Sequence, residues 1–263
     1  MKNVVITGGT RGIGLAMSKE FLESGCNVTV CGKSYKNLEK CKDELKNYDD
    51  NVLYVQCNVA DKADVERLWV EAKEKWESID IWINNAGQNS PYEFSWDIDE
   101  KYVEQLVDTN IKGVIYGSQV ASKHMIEQGY GQIWNMEGLG SNDSIIEKTI
   151  LYGTSKRALT YFTKALAKEI SKTNVRVGRL SPGMVLTDFM TQSPDGEKSK
   201  ALENHSFKKI FNILGEKPEV IAKYLVTEML KNKKNNGHIE WLTKSKSAKK
   251  FIIAPFKKEA LID

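Results

Sequence analysis

Thr7-Gly8-Gly9-Thr10-Arg11-Gly12-Ile13-Gly14 is the stretch from which the chain is read. An apolar run, Val4-Val5-Ile6, leads into it, and an amphipathic run from Leu15 to Leu22 leaves it. Strand, tight glycine turn and helix in that order open a dinucleotide-binding βαβ unit. Glycine lets the backbone turn sharply and approach a pyrophosphate. The helix start then presents free N–H groups and a positive dipole end to the phosphates. Gly8, Thr10, Arg11, Gly12, Ile13 and Gly14 are therefore candidate cofactor-binding residues.

Downstream, apolar and amphipathic runs alternate. Strands are expected at Val28–Cys31, Val52–Val55, Ile79–Ile83, Gln132–Met136, Val175–Leu180 and Gly237–Leu242. Helices are expected at Asn37–Asn47, Ala63–Trp76, Asp99–Asp108, Lys112–Glu127, Leu151–Ile170 and Glu219–Leu230, the last with Pro218 at its first turn. This pattern is that of an α/β fold with a parallel sheet covered on both faces. No repeat, linker or low-complexity tract divides residues 1–263, so one domain is expected. The Asn, Gly and Pro residues that punctuate the strand ends converge on one crevice in such a sheet.

Composition narrows the function classes. Of 263 residues, 41% are hydrophobic and 28% charged, enough for a large core, and the net charge of +3 does not suggest a nucleic-acid partner. The four cysteines, Cys26, Cys31, Cys41 and Cys57, lack metal-ligand spacing and read as thiols of a reducing compartment. No apolar run approaches the ~18 residues of a membrane span. With the glycine turn so close to Met1, no leader segment is expected, and the expected compartment is the cytoplasm.

The second strand ends Cys31-Gly32-Lys33-Ser34, without the acid that usually holds a ribose 2′-hydroxyl. Lys33 and Arg11 can pair with a 2′-phosphate and Ser34 can hydrogen-bond it; the alternative is two solvated cations. NADP(H) is thus preferred over NAD(H). Tyr152-Gly153-Thr154-Ser155-Lys156 sets Tyr152 and Lys156 four residues apart on one helix face. A phenol with a pKa near ~10 is a poor base, but a neighbouring ammonium favours phenolate, and a shift of ~3 units corresponds to about 4 kcal/mol. Tyr152 can then exchange a proton with a carbonyl or alcohol while a nicotinamide exchanges the hydride.

Taken together, Thr7–Gly14, Asn84-Asn85-Ala86-Gly87, Asn110, Tyr152 with Lys156, and Ser181-Pro182-Gly183 resemble the short-chain dehydrogenase/reductase family over nearly the whole chain. The resemblance implies a Rossmann-type, doubly wound, seven-stranded sheet in the order 3-2-1-4-5-6-7. It implies Tyr152 as acid/base, Lys156 on the nicotinamide ribose, and Asn110 ordering a relay water. It places Asn85, Ala86 and Gly87 beside the adenine and ribose, and Pro182, Gly183, Val185 and Thr187 around the nicotinamide amide. Asn58, followed by Val59, stands where the family usually has Asp. Homodimers or homotetramers packed through the helices at 112–127 and 151–170 are also implied.

Strand five departs from the family. Its run is Asn135-Met136-Glu137-Gly138-Leu139-Gly140-Ser141, with Gly138 where a serine hydroxyl normally holds the substrate oxygen. Loss of such a donor can cost ~10²–10³ in rate. Ser141 or Ser144 is a candidate replacement; otherwise Tyr152 polarises the carbonyl alone and Gly138 leaves room for a bulky ring. Glu137 reads as a solvated or helix-capping acid. The signature resembles the branch containing chlorophyll b reductases, which reduce a formyl group on a tetrapyrrole. The leading expectation is a carbonyl–alcohol oxidoreductase for a bulky apolar ring, of the hydroxysteroid dehydrogenase or carbonyl reductase kind. The alternatives are a chlorophyll b reductase-like formyl reductase and a catalytically weak nucleotide-binding regulator.

A substrate lid is expected at about 187–215, where Phe207, Ile210, Phe211 and Leu214 form an apolar stripe. Phe189, Met184, Tyr92 and Trp96 are candidate walls, and His205 is expected at the surface. The tail from 243 to 263 carries six lysines around Phe251–Phe256. It is expected to fold back on its own or a partner subunit, with Pro255 interrupting any long helix, the alternative being peripheral contact with an anionic membrane.

Overall fold

The first strand, β1 (Asn3–Thr7), is buried on both faces, as a central strand of a parallel sheet must be. The structure is a computed structural model and describes residues 1–254 and 260–262. After β1 come α1 (Gly12–Glu23), β2 (Asn27–Gly32), α2 (Tyr35–Leu45), β3 (Val52–Gln56), α3 (Lys62–Trp76) and β4 (Ile81–Asn84). The second half runs α4 (Glu100–Leu106), α5 (Gly113–Gln128), β5 (Gly131–Met136), α6 (Ile150–Glu169) and β6 (Val175–Ser181), then α7 (Asp188–Thr191), α8 (His205–Leu214), α9 (Pro218–Lys231), β7 (Gly237–Glu240) and α10 (Lys244–Ile253). The seven strands form one sheet in the order β3-β2-β1-β4-β5-β6-β7, as expected, and every pairing is parallel.

Side-chain alternation along the strands builds two cores. Val4, Ile6, Val28, Val30, Trp134 and Met136 face one layer, where they meet Met17 and Phe21 of α1 and Leu225 and Met229 of α9. Val5, Cys31 and Ile133 face the other, against Trp69 of α3, Val120 and Met125 of α5, and Ala167 of α6. All four cysteines are buried free thiols.

Element boundaries shift where local chemistry overrides periodicity. Ser34 caps α2 by accepting from the Asn37 N–H at 3.4 Å, so the helix begins two residues before the expected Asn37. The helices expected at Asp99–Asp108 and Lys112–Glu127 are continuous, since neither Gly nor Pro falls between Asp108 and Lys112; a π-helical turn, Val107–Lys112, joins α4 to α5. Such wide turns mark functional positions, and this one carries Asn110. The expected lid is folded into α7, a 3₁₀ turn at Lys200–Glu203, and α8. Pro255 and Phe256, expected to shape the tail, lie outside the described residues.

Candidate active site

The crevice opens where strand order reverses, between β1 and β4. Thr7 stitches the two strand ends together. Its Oγ1 donates to the Ile83 carbonyl at 3.2 Å and accepts from the Asn85 and Ala86 N–H groups at 3.0 and 3.1 Å. Asn85 Nδ2 donates to the Thr7 and Gly8 carbonyls, both at 3.0 Å. That lacing folds the glycine turn tightly onto the strand. A Cβ on Gly14 would collide with the Gly8 carbonyl and lie 2.6 Å from Asn85 Nδ2; Gly8 itself has φ +62° and faces the Ala86 backbone. Thr187 closes the far side, its methyl 3.3 Å from where a Cβ on Gly12 would stand. Ile13 packs against the core, Thr10 lies against Gly32, and Arg11 is exposed at the head of α1.

These features fit a dinucleotide. The turn has no room for side chains at Gly8 or Gly14, and Arg11 makes no side-chain cap at the start of α1, whose N–H end favours a phosphate. Asn85 Oδ1 is buried with no hydrogen-bond partner among the described residues, an acceptor left over once the amide nitrogen has tied down the turn. Beyond the end of β2, a cavity of about 530 Å³ is lined by Lys33, Gln56, Asn58, Asp64 and Arg67. Asp64, held below the usual carboxylate range by the Asn58 N–H and Arg67, accepts from that N–H at 2.9 Å. Arg67 is spent on Asp64, Glu71 and the Gln56 carbonyl. Lys33 lines this cavity and, like Arg11, makes no ion pair among the described residues. Val59 seats the first residue of α5 at Gly113.

At the other end stand Tyr152 and Lys156. Lys156 is 3% exposed and its Nζ donates to the Met136 carbonyl at 3.0 Å, 5.7 Å from the Tyr152 ring centroid. A Cβ on Gly87 would lie 3.5 Å from Asn110 Oδ1 and 3.7 Å from Lys156 Nζ, so the three residues share one spot. The Asn110 amide is locked: Oδ1 accepts from the Gln88 N–H at 2.7 Å, and Nδ2 donates to the Gln88 carbonyl and Ser155 Oγ. Beneath them, Asn84, Asn135, Ser118 and Thr163 form a buried hydrogen-bonded chain that ties β4 and β5 to α5 and α6. Burial pushes the phenol up and the Lys156 ammonium down to about 8, because desolvation disfavours both charged forms.

The β5 loop corrects two further expectations. Gly138 does not leave open space: a Cβ there would collide with Tyr152 Oη and lie 3.2 Å from Lys156 Cγ, so the phenol already lies against the loop backbone. Glu137 is not a solvated acid. It is 4% exposed and accepts from Ser181 Oγ at 2.6 Å and Thr160 Oγ1 at 2.7 Å, with Arg179 and His238 Nε2 each at 3.3 Å. Burial opposes its charge, but these donors outweigh it and hold the carboxyl at about 2. Ser141 Oγ accepts from the Gly138 N–H at 3.2 Å and donates to the Lys156 carbonyl at 3.3 Å, so its proton is engaged within the loop. Ser144 is exposed.

Three loops at the strand ends carry apolar side chains around this centre. Phe189 meets the Tyr152 ring edge-on at 5.7 Å, and its carbonyl accepts from Asn89 Nδ2. Phe94 stacks on Trp96, which is 77% exposed and so lies outside the crevice wall where it was expected; Lys148 sits over Tyr92 and Phe94. Pro182 is buried, Gly183 turns with φ +74°, and Val185 pairs with Glu216 in a single parallel bridge. In the segment where a lid was expected, only Phe211 of the apolar stripe is fully buried, Ile210 is outward, and His205 is exposed as expected. Gln88, Arg179, His238 and Thr160 were missed by sequence reasoning. Thr160 alone left a signal there, falling four residues after Lys156 on the same helix face.

Comparison with known proteins agrees with this geometry. The short chain dehydrogenase family profile matches residues 2–198. A probable chlorophyll(ide) b reductase of Arabidopsis thaliana, described as chloroplastic, is 36% identical over 260 residues, covering 92% of this chain and 51% of that protein. The chain thus spans about half the length of that relative. A 3alpha-hydroxysteroid dehydrogenase of Mediterraneibacter gnavus is 32% identical over 204 residues, 74% of this chain and 78% of that one. The closed form of serine dehydrogenase complexed with NADP+ superimposes with a TM-score of 0.80 at 25% identity, covering 92% and 95% of the two chains. No helix among the described residues is long and apolar enough to cross a membrane. The chain belongs to the short chain dehydrogenase family, close to its chlorophyll b reductase branch.

Proposed function

We propose that the chain is an NADP(H)-dependent oxidoreductase that interconverts a ketone or aldehyde and an alcohol on a bulky apolar ring such as a steroid or bile acid. The observation that carries this reading is the meeting of Tyr152 and Lys156, both from α6, with Gly87 and the Asn110 amide at the mouth of the glycine-turn crevice. The bound nicotinamide supplies or takes the hydride. Tyr152 Oη gives the proton to the carbonyl oxygen in reduction and takes it back in oxidation. Lys156 would hold the nicotinamide ribose, and its ammonium would steady the phenolate left behind. Asn110, fixed in its π turn, orders the water through which the proton is replaced. With Gly138 bare and the Ser141 proton engaged, Tyr152 is the side-chain donor to the substrate oxygen in our reading.

The large-ring substrate is supported by exposed apolar side chains on the loops after β4 and β5, Phe94, Ile145 and Ile146, together with Phe189 after β6. The NADP(H) preference is supported by Lys33 and Arg11 and by the absence of a strand-end acid after β2. Reduction of a formyl group on a tetrapyrrole is the second reading, favoured by the similarity to the Arabidopsis reductase. A weak regulator is disfavoured by the intact Tyr152, Lys156 and Asn110. Homo-oligomers packed through α5 and α6 belong to the same proposal, with Ile126 and Tyr161 as exposed apolar residues on those helices. So does a reducing, cytoplasmic setting for the four free thiols.

A panel of steroid, bile-acid and porphyrin carbonyls, followed at the reduced-nicotinamide absorbance with NADPH and NADH, tests this reading. Turnover of a ring ketone faster with NADPH is expected. Lys33→Ala should raise the KM for NADPH by roughly tenfold, as expected for a lost charge-assisted phosphate bond, with little effect on NADH. Faster turnover with NADH, or none on any ring carbonyl, overturns it.

A further inference from the structure

Glu137 is a buried carboxylate beside the reacting pair that the mechanism above leaves unused. Its neighbours in sequence both touch that pair: the Met136 carbonyl takes the Lys156 ammonium, and Gly138 lies against Tyr152 Oη and Lys156 Cγ. Thr160 Oγ1, one turn beyond Lys156, donates to Glu137 Oε1 at 2.7 Å and lies 3.3 Å from the Lys156 carbonyl. The carboxylate is therefore packed beneath the turn of α6 that carries Lys156. From the sheet side it is gripped by Arg179 and Ser181 of β6 and His238 of β7.

Burying an ion is unfavourable unless its partners satisfy it. Fold stability gives no reason to keep this one, since a buried ion pair is often no more stabilising than apolar residues of the same volume. Lys156 gives a reason. Its ammonium is buried, and the acceptor it has among the described residues is a neutral carbonyl. Burial drives it toward the neutral amine, and Glu137 is the charge that opposes this. We infer that Glu137 is a positioning residue, whose clamped carboxylate keeps Lys156 an ammonium beside Tyr152. The inference rests on the reading of Tyr152 and Lys156 as the reacting pair. The titratable and charged groups around Lys156 are Tyr152 on its own helix, Glu137 on the β5 loop, and Arg179 and His238 behind Glu137.

The sign follows directly. Removing the Glu137 charge lets burial act unopposed, so Lys156 loses its proton at lower pH. Removing Arg179 leaves the Glu137 charge less cancelled, so Lys156 keeps its proton to higher pH. Reduction needs both the phenol and the ammonium, so the alkaline limb of kcat moves with Lys156.

The test is a pH titration of the Lys156 side chain by NMR on the full chain, with ¹³C-labelled lysine and the Lys156 signal assigned by its loss in Lys156→Met. Glu137→Gln should lower the midpoint by roughly one pH unit, the scale on which a nearby opposite charge acts. Arg179→Gln should raise it, and Glu137→Asp should return it to within a few tenths of wild type. With NADPH and a steroid ketone, the alkaline limb of kcat should move in the same directions while the KM for NADPH changes less than twofold. Unmoved midpoints across the three variants overturn the inference. If Glu137→Gln does not fold, Arg179→Gln decides it: a raised Lys156 midpoint supports the inference and an unmoved or lowered one overturns it. If no ketone turns over, the titration still decides the role of Glu137, and the failure belongs to the assigned reaction.

Discussion

At Gly138 the missing side chain decides where the phenol stands. Tyr152 Oη lies in the space a Cβ would need, and Lys156 Cγ would be 3.2 Å from that Cβ. Restoring the hydroxyl that the family usually has there should therefore harm the enzyme. Gly138→Ser forces Tyr152 aside, and overpacking a filled site costs about 1–3 kcal/mol. Steady-state kinetics should show kcat lowered roughly 10- to 100-fold; a gain in kcat would show that the site had lacked a donor. The departure at Gly138 was legible in the sequence, but its consequence was not, because spacing along α6 does not say where the Tyr152 ring points. Glu137 was misread for a related reason. Most acids are solvated, and the donors that bury this one come from β6, β7 and α6, residues 160 to 238, which no local pattern pairs with residue 137.

Among the elements, α8 and α10 show how the segment from 187 to 215 is held. Lys250 donates to the Leu214 and Gly215 carbonyls and to Glu216 Oε2 at 3.0–3.2 Å, closing the C-terminal end of α8 where free carbonyls need a cation. Asn212 of α8 binds the backbone of Leu261 and Ile262. Glu216 in turn exchanges backbone bonds with Met184 and Leu186, on the segment leading to Thr187 and Phe189. The described part of the tail thus folds back on its own chain and braces the segment from 187 to 215. Lys250→Ala should raise the substrate KM severalfold, leave kcat within twofold, and speed limited proteolysis between residues 187 and 215. Unchanged cleavage and KM would contradict the brace. The amphipathic stripe of α8 was legible from its spacing, whereas its tie to Lys250 spans 36 residues of chain and was not.

Across the whole molecule, the alternation of strands and helices was readable because the inner strands of this sheet are covered on both faces and the flanking helices on one. Strand order was not readable from periodicity; it came with the resemblance carried by the glycine turn, Asn84–Gly87 and Tyr152/Lys156. The order matters because it alone brings the ends of β1, β4, β5 and β6 to one crevice, where residues separated by more than 140 positions meet. The most direct measurement is turnover and cofactor affinity of Tyr152→Phe beside wild type, using NADPH and the best ring ketone of the panel. Removal of the proton donor should lower kcat/KM by roughly 10³-fold, within the range of general acid catalysis, with the NADPH Kd from fluorescence unchanged within twofold. Turnover within tenfold of wild type, with NADPH still bound, would contradict the account.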